Sequence, residues 1–80
     1  RKQLTELQNA ELQGQAIADL NQSVEAYGRK QYPTALQAVQ RALQRDPNNA
    51  TGHYYKGLIL SAMNRSREAI ASYQEATRLS

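Results

Sequence analysis

One interval that recurs along this 80-residue chain constrains its fold more than any other feature. The interval from Ala35 to Ala69 also separates Val39 from Tyr73 and Ala42 from Ala76, so three residues with helical spacing are followed by three of similar character. Self-similarity at such a period, roughly 34 residues, is typical of stacked repeats, in which each unit buries its apolar face against a neighbour. This repeat interval therefore predicts that one structural unit occurs twice.

The composition indicates that this unit is helical. Ten Gln, nine Leu and twelve Ala dominate the chain, all five aromatic residues are Tyr, and Val occurs only twice. Helix formers are thus abundant, whereas the β-branched and aromatic alternation typical of strands is missing. We predict an all-α fold of stacked antiparallel helix hairpins, with a helical segment at the amino-terminal end.

Two apolar stripes predict the first helix of each hairpin. One consists of Ile17, Leu20, Val24 and Tyr27 and the other of Tyr54, Gly57, Leu58 and Ser61. Their spacing of three and four residues is that of one helix face. The sequence predicts that Gly28 ends the first of these helices in the left-handed conformation and that the other ends near Asn64.

The second helices are framed by residues that start and stop helices. Pro33 is expected at the first helical position, and Pro47 follows the end of that helix. Asn48 or Asn49 is a candidate cap for the third helix, and Ser66 is a candidate cap for the last.

These features together resemble the tetratricopeptide repeat, a family whose units are antiparallel helix pairs of about 34 residues. The resemblance rests on small residues in the first helices, on the repeated alanines and large apolar residues of the second helices, and on the turn between the units. The residues concerned are Ser23, Gly57, Tyr32, Ala35, Ala69, Val39, Tyr73, Ala42, Ala76, Pro47, Asn48 and Asn49. Four positions depart from the family pattern: Asp19 and His53 replace large apolar residues, and Lys30 and Asn64 replace glycine.

The resemblance implies three segments. Residues 1–15 form a linker helix with Leu4, Leu7 and Leu12, residues 16–49 form one helix pair, and residues 50–80 form most of a second. A short stack of this kind is expected to leave its last helix partly uncovered, on the side that carries Ala69, Ile70 and Tyr73.

Catalytic chemistry is not expected. The chain has no Cys and one His, its seven carboxylates are dispersed, and its four glycines form no phosphate-binding loop. We interpret His53 as a core residue on an inward-packing face. The sequence therefore predicts a non-enzymatic chain without metal or cofactor.

No apolar run reaches the roughly 20 residues of a membrane-spanning helix, and no signal-peptide pattern opens the chain. We expect a soluble chain, cytoplasmic by default. Because its first residue is Arg1, we also expect it to be a piece of a longer protein.

The resemblance implies a concave surface lined by the first helices, where a partner's peptide or amphipathic helix would bind. The candidate peptide groove consists of Leu20, Val24, Tyr27, Tyr54, Leu58 and Ser61. Family members that grip acidic carboxyl termini carry Lys, Arg and Asn there, and this chain does not. An alternative interpretation is that the stripe is buried against the amino-terminal helix or a neighbouring subunit.

A basic edge is predicted along the turns between paired helices, formed by Arg29, Lys30, Arg65 and Arg67. The net charge of +3 is small and no aromatic residues alternate with these cations, so nucleic acid is not an expected partner. The preferred hypothesis is a protein-interaction module. The alternative is a self-association element, in which hairpins of two chains complete one stack through the exposed last helix.

Overall fold

The computed structural model describes the backbone of residues 2–80 and the side chains from residue 6 onward, so the predicted contribution of the Leu4 side chain lies outside the described residues. The described chain forms four helices and no strand. Helix α1 spans Lys2–Gly28, α2 Tyr32–Arg45, α3 Ala50–Ala62 and α4 Ser66–Leu79.

Helix α1 is about twice as long as the others because the leading segment and the first repeat helix are continuous. Its 27 residues correspond to about 40 Å at the usual helical rise. Gly14 does not interrupt it, and the side chains of residues 6–15 are exposed. The first half of α1 thus extends beyond the packed part of the molecule.

The helices pack as two hairpins in a stack, which confirms the predicted all-α architecture. The first hairpin pairs α1 with α2 and the second pairs α3 with α4, while α3 also packs against α2 and touches α1. Among the described residues, α4 contacts only α3. One broad side of α4 therefore has no helix against it.

The core lies where α3 meets the first hairpin. Val39 of α2 and Ile59 and Leu60 of α3 are almost completely buried, and alanines from α1, α2 and α4 fill the space around them. Alanine occurs at these contacts because a short side chain lets two helix backbones approach closely.

The two turns inside the hairpins have the same geometry at matching positions of the repeat. Lys30 and Asn64 both have a φ of 62°, in the left-handed region. The amide of Gln31 donates to the Ala26 carbonyl over 2.8 Å, and the amide of Arg65 donates to the Leu60 carbonyl over 2.9 Å. These bonds define a helix end in which the left-handed residue follows the last turn.

The prediction that Gly28 takes the left-handed conformation is wrong. Gly28 is the last helical residue, and the described glycines have no positive φ. The chain reverses two residues later, at Lys30, because the hydrogen bond from Gln31 to Ala26 closes only there.

The helix starts follow the predictions in part. Asn49 caps α3, since its side-chain oxygen accepts a hydrogen bond from the Gly52 amide over 2.9 Å. Pro33 is the second residue of α2, because that helix begins at Tyr32. The expectation that Ser66 is a cap is wrong: Ser66 is the first helical residue, and the cap position is held by Arg65 without a side-chain bond.

A close helix contact lies inside the second hairpin. A Cβ atom added to Gly57 would lie 2.6 Å from Cε1 of Tyr73, well inside van der Waals distance. Glycine is therefore required at this position as long as the Tyr73 ring lies across it. In the first hairpin, fully buried Ser23 occupies the matching position, and its hydroxyl donates to the Ala35 carbonyl over 2.8 Å.

Candidate functional site

The candidate peptide groove has members on α1 and α3 with very different exposure. Leu20 is only 9% exposed and belongs to the core. Val24, Tyr27 and Leu58 are half-buried, and Ser61 is exposed. Because α1 and α3 are in contact, the structure places the half-buried members on neighbouring helices.

Tyr54 differs from the other candidates. It is 49% exposed, and its ring lies 5.9 Å from that of Tyr73 and 5.7 Å from that of Tyr55, measured between centroids. Tyr54 and Leu20 are one repeat interval apart and hold the same place in their hairpins, yet only Leu20 is buried. The α3 helix packs on the hairpin that contains Leu20, whereas no helix among the described residues packs on the equivalent side of the second hairpin.

An open cleft of about 400 Å³ lies beside Tyr54, between α3 and α4. Its lining is mostly apolar and comes from the start of α3 and the end of α4: Ala50, Thr51, Tyr54, Tyr73, Ala76, Thr77 and Ser80. Sequence reasoning did not identify this α3–α4 cleft. The repeat interval could have indicated it, because each lining residue matches a position one interval earlier in the first hairpin, and several of those positions are buried.

Tyr73 forms the wall of the α3–α4 cleft that lies against Gly57. Burial raises the pKa of the Tyr73 hydroxyl above its usual value, and repulsion from the ionised forms of Tyr54 and Tyr27 adds to the rise. The shift favours the neutral hydroxyl, and the rings of Tyr54 and Tyr73 contribute apolar surface to the cleft.

The predicted exposure of the last helix is correct for one of its three residues. Ile70 is 55% exposed, Tyr73 is half-buried, and Ala69 is buried against α3. Ala69 belongs to the core cluster, so the uncovered apolar surface of α4 centres on Ile70.

A second cleft of about 290 Å³ carries charge. Its lining combines a histidine, a lysine and two carboxylates with small and apolar residues: His53, Lys56, Leu60, Glu68, Ala71, Ser72 and Glu75. The expectation that His53 is a core residue is wrong, since it is half-exposed and its Nε2 donates to the Pro47 carbonyl over 2.9 Å. Hydrogen bonding to Arg78 lowers the pKa of Glu75.

Asp19 has a structural partner that the sequence did not reveal. Its carboxylate lies 3.5 Å from Nε of Arg41 and 3.0 Å from Nε of Arg45, and little of its side chain is exposed. The departure from the large apolar residue that the family favours is thereby balanced by two cations on α2.

The four residues of the predicted basic edge are all exposed. Arg29 and Lys30 lie at the first hairpin turn and Arg65 at the second, whereas Arg67 is in the first turn of α4. Arg65 forms a two-pronged ion pair with Glu68, with distances of 2.7 and 3.0 Å. Its charge is therefore partly neutralised.

Neither cleft offers the geometry of a metal site. Within residues 2–80, no group of three or more His, Cys, Asp or Glu is placed to hold a metal ion. No described helix is long and apolar enough to cross a membrane.

Comparison with known proteins gives one family. The model described as tetratricopeptide repeat matches residues 38–71, a stretch that covers the latter part of α2, all of α3 and the start of α4. No curated protein and no solved structure matches the chain significantly. The matched stretch contains the packing of α3 on α2 around Val39 and Ile59. The match, the repeat interval and the stacked hairpins together support a tetratricopeptide repeat over residues 38–71.

Proposed function

We propose that this chain is a non-catalytic protein-interaction module, in which the candidate peptide groove binds a peptide or helix of a protein partner. Repeats of this family commonly serve as scaffolds between proteins, and the family is generally non-catalytic. The observation that carries the proposal is the half-exposed apolar surface of Val24, Tyr27 and Leu58, which persists on two adjacent helices of a folded chain.

The chemistry of this surface favours an apolar ligand. Tyr27 packs beside Tyr32 with 5.8 Å between ring centroids, which holds the ring in place before a ligand arrives. Pre-ordered aromatic rings contribute contact area at low entropic cost and are common anchors at interfaces. Ser61 borders this surface without filling it, so a ligand would meet an apolar floor with a polar rim.

An exposed position gives the cleanest test. Peptides are selected on the chain from a displayed random library, and the affinity of one selected peptide is measured by fluorescence anisotropy. Ser61→Arg places a long cation on the groove without removing core contacts and should weaken binding more than about tenfold. Gln40→Arg is the matched control, because Gln40 is an exposed residue of α2, and it should leave the affinity unchanged.

The same peptide tests the electrostatic alternative. Reversal of the basic edge with Arg65→Glu and Arg67→Glu should matter less than Ser61→Arg. A peptide that ignores Ser61→Arg and is lost on edge reversal would replace the groove with the edge as the binding surface.

A further inference from the structure

The part of α1 that extends beyond the packed hairpins carries an exposed apolar face. Leu7 and Ile17, which are 64% and 56% exposed, are the two most exposed large apolar side chains among the described residues. Ala10 and Gly14 lie between them in the sequence and are also exposed. The four residues are spaced by three, four and three positions, so they share one side of the helix. This side is called the α1 face below.

Gly14 has no role in the packing of the described chain. A Cβ atom added to it would meet nothing within 4 Å, whereas one added to Gly57 would lie 2.6 Å from an atom of the Tyr73 ring. Glycine weakens a helix interior relative to alanine, yet α1 continues through Gly14. At Gly57, the missing side chain makes room for a neighbouring helix of the same chain. At Gly14, the described residues leave the same opening free.

The order of residues on the α1 face is symmetric. Leu7 and Ile17 both lie five residues from Leu12, and the small residues Ala10 and Gly14 both lie two residues from it. A second α1 that runs antiparallel and is centred at the same level therefore places Leu7 against Ile17. It also places Ala10 against Gly14. A surface that complements itself under a two-fold axis is what a contact between identical chains requires.

The sizes of the four side chains suit two helices that cross. The backbones of crossing helices are closest at the crossing point, where small side chains allow the approach, and they diverge on either side of it. Ala10 and Gly14 occupy the centre of the α1 face, and Leu7 and Ile17 lie where the gap widens. The α1 face carries no charged residue, so two copies can approach without burying a charge.

We propose that the α1 face is a self-association surface, on which α1 of a second copy of this chain crosses antiparallel to the first. The packed hairpins then lie at opposite ends of the crossing, because the side chains of residues 6–15 are exposed and burial begins at Ala16. Four residues bury much less than the roughly 800 Å² per partner of a stable complex, so the dimer is weak and forms at high protein concentration. The α1 face shares no residue with the candidate peptide groove, and the proposal does not depend on that groove.

Sedimentation equilibrium of the 80-residue chain up to about 1 mM tests the proposal, and we expect an equilibrium of monomer and dimer. Gly14→Gln should weaken dimerisation at least about tenfold, because a long side chain blocks the crossing. The same change should raise the helix content measured by circular dichroism, because glutamine is a better helix former than glycine. A weaker dimer with more helix separates association from folding.

Two controls locate the contact. Asn9→Gln is the matched control, because Asn9 is exposed and lies seven residues before buried Ala16, hence on the side of α1 that turns towards the core. Ile70→Arg alters the exposed surface of α4. Both variants should dimerise like the parent. A chain that stays monomeric at about 1 mM, a dimer that Gly14→Gln leaves unchanged, or a dimer that Ile70→Arg abolishes would each overturn the proposal.

Introduced cysteines test the direction of the crossing, since the chain has no Cys of its own. Under mild oxidation, chains with Leu7→Cys should form disulfides with chains that carry Ile17→Cys faster than either variant does with itself. Faster pairing of Leu7→Cys chains with each other would show a parallel pair and overturn the antiparallel arrangement.

Discussion

The two hairpins solve the same packing problem with different side chains. At the crossing of their helices, the first hairpin combines Ser23 with Val39, and the second combines Gly57 with Tyr73 at the matching positions. Gly57 is smaller than Ser23, and Tyr73 is larger than Val39, so the change in size at one position is offset at the other. Both hairpins therefore combine a small residue with a larger apolar one at these positions, although the residue types differ.

The hairpins differ more strongly on the sides that face away from their own partner helix. Tyr55, Ile59 and Met63 form an apolar stripe on α3, and the matching stripe of α1 is polar and exposed. The outer face of the first hairpin is thus polar, whereas the outer face of the second hairpin, around Ile70, exposes apolar surface.

The polar residues beside the helix crossing are placed in the opposite order in the two hairpins. The first hairpin has its carboxylate on α1 and its basic residue on α2, whereas the second has its histidine on α3 and its carboxylate on α4. Asp19 and Arg41 are within 3.5 Å of each other in the first hairpin, and the matching residues of the second are His53 and Glu75. These two have other partners, since His53 binds the Pro47 carbonyl and Glu75 pairs with Arg78. At these repeat positions, an ion pair therefore joins the two helices of the first hairpin, whereas the matching residues of the second hairpin do not pair with each other.

The largest expected effect breaks the crossing of the second hairpin. Gly57→Leu should reduce the free energy of unfolding by about 1–3 kcal/mol or more, because its side chain must displace the Tyr73 ring. Gln40→Ala, on an exposed face, should be nearly silent. Urea unfolding followed by circular dichroism measures both, and equal midpoints for the two variants and the parent would contradict the close contact.

Exchanging the residues between hairpins sharpens the comparison. Gly57→Ser alone should destabilise by about 1–3 kcal/mol through overpacking, whereas Gly57→Ser with Tyr73→Val recreates the pair of the first hairpin. We expect the double variant to be more stable than the sum of the single effects by about 1 kcal/mol. A double-mutant cycle measures this coupling, and additive effects would show that the two positions do not compensate each other.

The turns should respond unequally to glycine. Lys30→Gly should stabilise the chain by about 0.5–1 kcal/mol, because a lysine at φ 62° is strained and glycine is not. Asn64→Gly should give a smaller gain, since asparagine adopts the left-handed conformation more readily. Thermal unfolding of both variants tests the order, and a loss of stability in Lys30→Gly would contradict the assigned turn geometry.

The smallest expected effect appears in alkaline solution. The pKa of Tyr73 is raised in the folded chain, so the neutral hydroxyl stabilises the fold below its ordinary pKa of 10.0, and this contribution is lost as the pH rises through the folded pKa. Val39, at the matching position, has nothing to ionise. Tyr73→Phe should lose less stability than the parent between about pH 9 and pH 11 in urea unfolding. An identical loss in both chains would assign the effect to other tyrosines.

Much of the fold could be predicted from local pattern. The spacing of Ala35, Val39 and Ala42 predicted α2, and Asn49 is one of the two asparagines expected to cap the third helix. The exact reversal point could not be predicted, because Gly28 is intrinsically the better left-handed residue and Lys30 takes that conformation only when the hydrogen bond to Ala26 closes the helix.

The candidate site was predictable only in outline. Repetition of the first-helix stripes indicated apolar faces on α1 and α3, and Val24 and Leu58 of those stripes are half-exposed on two helices that touch. The pairing of Asp19 with Arg41 and Arg45 could not be predicted, because it joins residues far apart in the sequence, on two helices whose rotation is set by packing.

The sequence by itself determined the period, the two helix hairpins and the small residues inside them, because these depend on local propensity and on spacing along one helix, whereas the fusion of the leading segment with the first repeat helix appears only in the structure. Only the tertiary structure decided which apolar residues are left in solvent. Leu20 and Tyr54 share one repeat position, as do Leu36 and Ile70, yet in each pair only the first is buried. The physical reason is that burial depends on the helix packed alongside, and α3 covers the first hairpin whereas no helix among the described residues covers the second.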